Sequence, residues 1–274
     1  MTIDSNLHAS DVEDLVDELF EASTDGLFVV NPTADVVEGL TSVATEFGAD
    51  APRIRILADG SLLKEVMGDF LVASNAADLV ADDALDLRTP DGGAENALLL
   101  TDETVLALVS AGDRVAALVD DDSDFVAAVE ADYEAAWDDA ERYNLRTPPL
   151  SRVRETLAEE IGESTREDFD AVLASLDTAR GDGEGLDEVT VSLLVAARND
   201  VLLYDISKWG EDVGIASKAT FSRTKTRLED RGLIDTEKVP IDVGRPRLRL
   251  KLGDERLREV DVAELAAVAA SMLA

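Results

Sequence analysis

The sequence predicts two folded parts, an α/β domain built on a mixed sheet and, after it, a smaller α+β domain of helices closed by a β-hairpin. Three observations predict this. Short apolar runs alternate with segments of helical period in the first half, then three apolar runs follow one another across short polar breaks. The last third holds three short helix-compatible segments and two extended segments around a Gly/Pro turn. At 274 residues and 46% hydrophobic content the chain can build two cores. Aromatics are only 4%, so those cores rest on Ala, Val and Leu.

Taken in order, residues 9–23 place Val12, Leu15, Val16 and Leu19 on one helical face. LFVV (27–30) reads as a strand ending in the loop Asn31, Pro32, Thr33. A helix over 34–47 and a second strand over 53–57 follow, with helices expected over 61–70 and 76–80. The runs 97–100, 105–109 and 115–118, separated by TDE and AGDR, suit antiparallel strands, and 125–143 reads as a long amphipathic helix. Pro148 and Pro149 break the chain. Beyond them, 151–161 is an amphipathic helix, and Ser164 with Glu167 forms a capping box before 169–179. ARGDGEGLDE (179–188) has three glycines and reads as a linker. The boundaries that result are 1–145 for a sensing or dimerisation domain, 146–186 for a helical connector and linker, and 187–274 for the α+β domain. In that last domain helices are expected over 189–198, 205–213 and 217–231, and an Ala-rich helix over 254–274.

Charge separates the second domain from the rest. The chain carries 60 Asp and Glu against 25 Lys and Arg, a net charge of −35. Five of its six lysines lie between 208 and 251. An acidic, Arg-for-Lys surface suits a very salty cytoplasm, where the Debye length falls to about 3 Å and self-repulsion is tolerable. Against that background Ser217–Lys251 holds ten Lys and Arg and five Asp and Glu, leaving −40 on the other 239 residues. A basic island in an acidic chain calls for an anionic partner, and double-stranded DNA fits best. The alternative is a basic helix and hairpin that contact an acidic domain of the same protein.

Helix, strand, turn and strand in this order look like the recognition helix and wing of a winged helix-turn-helix. Ser217 is placed to cap the helix and Gly232 to end it. On a helical wheel Phe221, Thr224 and Leu228 share the face that should pack on Leu193, Leu194, Ile206 and Trp209. Ser222, Arg223, Thr226 and Arg227 then point outward, with Arg223 the best base reader. Lys218 and Thr220 at the helix N-terminus suit phosphates, as do Arg245 and Arg247 around Pro246 in the wing.

TFSRTKTRLEDRGLI resembles the third-helix signature of archaeal and bacterial winged-helix regulators, with its small-residue cap, Ser-Arg pair, Leu-Glu and Arg-Gly-Leu-Ile exit. Lys225 departs from the pattern, since such regulators carry an apolar residue there, and this leaves the outward set open by one position. Over nearly its full length the chain is similar to the haloarchaeal TbsP-type regulators, relatives in function of the sugar-responsive TrmB regulators. The resemblance implies a transcription factor that represses genes of central sugar metabolism and gluconeogenesis.

For the first domain, ligands of open sheets sit beyond the carboxyl ends of strands. Those ends offer Asn31 and Thr33, then Asp59 and Ser61, groups able to bind a sugar or sugar phosphate. The same residue types are ordinary turn formers. Catalysis finds little support. The one histidine, His8, lies in an expected N-terminal tail, and GDGEG (181–185) lacks the strand that a phosphate loop requires. Without cysteine the chain has no disulfide, thiolate zinc site or thiol nucleophile, and no metal or cofactor is expected. Neither a signal-peptide pattern nor a run of about 18 apolar residues is present, so a soluble cytoplasmic protein is expected.

The sequence therefore reads as a homodimeric, sequence-specific DNA-binding regulator and not an enzyme. Its rivals are a nucleoid-type protein with little sequence preference and an α/β enzyme whose C-terminal domain mediates protein contacts.

Overall fold

The computed structural model describes residues 7–22, 26–92, 96–111, 114–176, 179, 186–241 and 246–273. They form two compact units. The first holds Met1–Gly68 and Asn75–Leu145, and the second holds Asp69–Ser74 and Arg146–Ala274.

The first unit runs β1 (Leu7–Ala9), α1 (Val12–Ala22), β2 (Leu27–Val30), α2 (Ala34–Phe47), β3 (Ile54–Leu57), α3 (Gly60–Val66), α4 (Phe70–Ala81), β4 (Leu85–Thr89), β5 (Leu98–Leu100), β6 (Val105–Ala111), β7 (Arg114–Asp120), α5 (Ser123–Asp139) and β8 (Glu141–Arg142). The first turn of α4 groups with the second unit. The strands make one mixed sheet in the order β1-β7-β6-β5-β2-β3-β4-β8. Only β2, β3 and β4 are parallel to one another. Their right-handed crossovers put α2, α3 and α4 on one face of the sheet, and α1 packs on α2 there. The other face carries α5, whose Trp137, Val129 and Tyr133, with Ala140 just beyond its end, cover Phe28, Val30, Leu57 and Leu100.

Three strands escape the sequence reading. His8 belongs to edge strand β1, paired with Ala116 of β7, so it is not in a tail. β4 buries Leu85 and Leu87 on one face, while Asp86 and Arg88 face α5, where the Arg88 guanidinium lies 4.5 Å from the Trp137 ring. Two charged residues in five hide such a strand from a pattern of apolar runs. α5 ends at Asp139 because Ala140 is extended, which frees Glu141 and Arg142 to pair with β4 as β8.

The second unit contains α6 (Leu150–Glu160), α7 (Glu163–Leu173), α8 (Glu188–Arg198), α9 (Leu203–Val213), α10 (Lys218–Asp230), β9 (Ile234–Val239), β10 (Arg247–Leu252), α11 (Glu255–Glu259) and α12 (Val262–Leu273). One core joins Val153, Leu157 and Phe169 of α6 and α7 to Leu193, Leu194, Trp209 and Phe221. The helices read from the sequence as a connector are thus built into this unit. Ala179 and Leu186, at the ends of the expected linker, are buried in the same core, while 181–185 lie outside the described residues.

Two helix ends differ from expectation. The chain enters α7 through Gly162 at φ 141°, so Ser164 sits inside the helix and no capping box forms. The single helix expected over 254–274 is broken where Val260 turns extended, and Arg198 Nη1 donates to the Val260 carbonyl at 3.2 Å.

Helices α9 and α10 cross closely because Gly210 has no side chain. A Cβ there would penetrate the Phe221 ring, and Phe221 is fully buried, with nowhere to swing. Gly210→Ala is therefore expected to cost about 1–3 kcal/mol through overpacking. Thermal unfolding checks this; an unchanged melting temperature would contradict the packing described.

Candidate nucleic-acid interface

Helix α10 starts where Ser217 accepts a hydrogen bond from the Thr220 amide at 3.2 Å. Gly214, at φ 97°, turns the chain out of α9, and Gly232, at φ 75°, turns it out of α10. Between them Phe221, Thr224 and Leu228 are buried, whereas Ser222, Arg223, Thr226 and Arg227 are exposed. Lys225 does not rotate the helix. Its side chain is only 12% exposed, and its ammonium is held 2.7 Å from Glu229. Glu229 also accepts from Thr236 Oγ1 of β9 at 2.8 Å. The hydrogen bonds from Lys225 and Thr236 hold its carboxyl below the ordinary value. The long aliphatic stem of Lys225 thus stands in for the apolar residue usual at this place.

Several of the basic groups are already paired with carboxylates. Lys218 Nζ lies 2.7 Å from Glu211, and this bond raises the lysine's pKa and lowers the glutamate's. Arg227 donates to Thr190 Oγ1 at 3.1 Å and sits 3.9 Å from Asp187. Among the described residues Arg223 reaches only its own helix, donating to Thr220 Oγ1 at 3.3 Å. Thr226 Oγ1 donates back to the Ser222 carbonyl at 3.1 Å.

In the wing, β9 and β10 pair antiparallel with Val239 opposite Arg247. The Arg247 guanidinium stacks 4.5 Å from the Tyr204 ring of α9 and lies 3.5 Å from Asp205. Gly244 and Arg245 lie outside the described residues. The sequence reading missed Tyr204, Asp205 and Glu211, the partners that hold these cations. Tyr204, 49% exposed in a chain poor in aromatics, is the signal that could have found one of them.

Glu188 opens α8 beside this surface. Burial pushes its carboxyl up, and the charges of Asp187 and Asp69 add to the effect.

In the first unit β2 and β3 are parallel neighbours, so Asn31, Thr33, Asp59 and Ser61 share one end of the sheet. The Asn31 amide donates to Leu57 O at 2.8 Å, with Asn31 itself at φ 46°. Asp59 caps α3, accepting from the Ser61 amide at 2.7 Å and from its hydroxyl, and these bonds lower its pKa. Thr33 heads α2 without a side-chain cap bond. Among the described residues no three His, Asp or Glu converge where they could hold a metal. No described helix is long and apolar enough to cross a membrane.

An exposed, donor-rich helix followed by a stacked arginine at the turn end of a hairpin matches the acceptor edges and phosphates of duplex DNA. Fold and surface together define a winged helix-turn-helix protein. Family models identify it further. The model for the TbsP-like transcriptional regulator N-terminal domain matches residues 4–148, and that for the TbsP-like C-terminal HTH domain matches 149–270. The chain belongs to the TbsP-like transcriptional regulators and is a DNA-binding regulator. These families are regulators rather than enzymes.

No curated protein sequence matches the chain. Among solved structures it is similar to TrmBL2, an archaeal chromatin protein with a novel mode of DNA binding, at 16% identity and a TM-score of 0.40. That match covers 52% of this chain and 55% of TrmBL2, so the chain spans about half of that protein's length. It is also similar to Nuc, a phospholipase D family member from Salmonella typhimurium, at 11% identity and a TM-score of 0.37, over 51% of this chain and 98% of that one.

Two tests follow from the pairing. Glu211→Gln frees Lys218 and is expected to tighten binding to any duplex, steepening the slope of log K against log salt by up to ~0.9. An unchanged slope would mean that Lys218 does not meet phosphate. Glu188 has a folded pKa above its ordinary value of 4.5. The unit therefore loses stability as pH rises from that value through the folded pKa. Glu188→Gln should melt higher than wild type at neutral pH, with the gap closing in acid. A gap independent of pH would refute the assignment.

Proposed function

We propose that the protein is a homodimeric, sequence-specific repressor that reads DNA through α10 and braces itself on the backbone through the wing. The observation that carries the reading is the exposed set Ser222, Arg223, Thr226 and Arg227 on a helix whose opposite face is fully packed. Arg223 takes the central role, because among the described residues its guanidinium has no carboxylate to leave before it can meet a guanine edge. Lys218, Thr220, Arg245 and Arg247 take phosphates.

The targets are genes of central sugar metabolism and gluconeogenesis, and the sign is repression; both follow from the resemblance to TbsP-type regulators. The 1–145 domain senses or dimerises, with 187–274 as the DNA-binding domain. A sugar or sugar phosphate is the effector, received at the strand ends that carry Asn31, Thr33, Asp59 and Ser61. Turn and cap bonds hold this set in place, and Thr33 is exposed. The setting is a salty cytoplasm, to which a net charge of −35 is suited.

The test is Arg223→Ala. It is expected to cost about 1–3 kcal/mol at a specific site and to flatten the preference at one base position, without lowering the melting temperature. Genome-wide occupancy with and without glucose supplies the site. Unchanged affinity and preference would refute the helix orientation. Occupancy indifferent to sequence would make the protein a nucleoid-type binder.

A further inference from the structure

The two faces of the sheet are unequally covered. Helices α1 to α4 share one face, and α5 is the described helix on the other. A helix is about 10 Å across and strands lie about 4.8 Å apart, so one helix cannot shield eight strands. α5 lies over β5, β2 and β3 through Leu100, Phe28 and Leu57. Beyond it, on the same face, the register places Ala107 and Val109 of β6 beside Leu118 and Ala116 of β7. Val109 is 46% exposed and Leu118 48%. The partners of that face on the other side of the strand, Val115 and Ala117, are buried.

In a chain with 60 carboxylates this stretch is uncharged except at its ends. Along the open face β7 reads Arg114, Ala116, Leu118, Asp120, with both charged residues exposed. The order is self-complementary. A two-fold axis through Ala117 that sets two β7 strands antiparallel, face to face, brings Arg114 opposite the Asp120 of the second copy. It also brings Ala116 opposite Leu118. Packed sheets keep their strands within about 30° of each other, so the strand ends remain in register. An isologous contact of this kind closes after two copies. The Asp120 carboxylate already accepts from the Asp122 amide at 3.0 Å, which fixes it at the rim. Phe125, five residues on and 48% exposed, adds apolar surface in the first turn of α5.

We propose that this β6–β7 face is where a second copy of the chain docks, through Val109 and Leu118, with reciprocal Arg114–Asp120 pairs at its ends. The inference deepens the dimeric regulator proposed above and rests on that reading for the need of two copies. A lone copy would leave the neutral strip in water. Two acidic copies meet with least repulsion where neither carries excess charge. Two strands about 20 Å long and about 4.8 Å apart give an apolar centre of roughly 200 Å², smaller than a full interface, so the charged rim contributes to its specificity.

The experiment is light scattering and sedimentation of the full chain at micromolar concentration in molar salt. Wild type is expected to be a dimer and Leu118→Glu a monomer of unchanged secondary structure. Arg114→Asp or Asp120→Arg alone should raise the dissociation constant about tenfold, through like-charge contacts. The double variant Arg114→Asp, Asp120→Arg should return it to near wild type, a result that misfolding cannot mimic. A dimer that survives both Leu118→Glu and the single swaps overturns this face and leaves the dimeric regulator standing. A monomeric wild type overturns the face and the dimeric reading together, while the effect of Arg223→Ala on DNA still reports separately on the regulator.

Discussion

The DNA-facing surface depends on one contact, the Phe221 ring against the bare backbone of Gly210. It lets α10 approach α9 closely and fixes the rotation of α10 about its own axis. With Phe221 and Leu228 buried on one side, the 3.6-residue period leaves Ser222, Arg223, Thr226 and Arg227 on the other. A turn of a single residue would exchange Thr224 for Lys225 in the core. The Lys225–Glu229–Thr236 bonds oppose that slip from the strand side. The neighbouring Trp209, buried with its Nε1 donating to Thr156 of α6 at 3.0 Å, ties the same crossing to the helices that precede the motif. α6 and α7 are therefore part of the support of α10.

Electrostatics then decides which of the exposed cations are ready to act. A strongly acidic chain supplies several of these cations with a carboxylate neighbour. Lys208 has Asp212, Lys218 has Glu211, Arg247 has Asp205 and Lys251 has Asp200. Exposed pairs of this kind contribute little to stability, so phosphate can displace them at small cost. They still lower the net attraction of the surface before contact, and the exchange makes binding a trade of one anion for another. Arg247 keeps its place when it leaves Asp205, since its stacking on Tyr204 does not depend on that carboxylate.

Much of this was legible in the sequence, for identifiable reasons. The cap at Ser217, the left-handed exit at Gly232 and the period of Phe221, Thr224 and Leu228 are local signals, and the three helices and hairpin follow from them. The parallel strand β2 is a continuous apolar run, as a strand buried on both faces should be, and β3 departs from that pattern at Arg55 alone. What stayed hidden depends on contacts distant in sequence. β4 alternates charge with leucine because Arg88 lies over Trp137, 49 residues on. β1 is three residues long and owes its state to β7. The Ser164 box fails because Gly162 adopts a conformation open mainly to glycine. At the site, the outward residues of α10 were readable from period alone. The carboxylates that hold Lys218 and Arg247 were not, since Glu211 and Asp205 belong to α9.

Salt acts on the two working surfaces in opposite directions. Contacts with phosphate weaken as salt rises, since each neutralised phosphate releases a counterion whose entropy gain shrinks in concentrated electrolyte. An apolar strip between two acidic copies behaves the other way, because screening removes the repulsion that keeps them apart. In the proposed dimer, a regulator with −35 charges would need salt to bring two copies together and would lose affinity per copy in the same medium. Joining two weakly bound winged helices restores what screening removes, since the second binds at the high effective concentration set by the first. On the proposed reading, the acidic surface and the small neutral face on β6 and β7 would answer one constraint, that DNA be bound where electrostatic attraction is short-ranged.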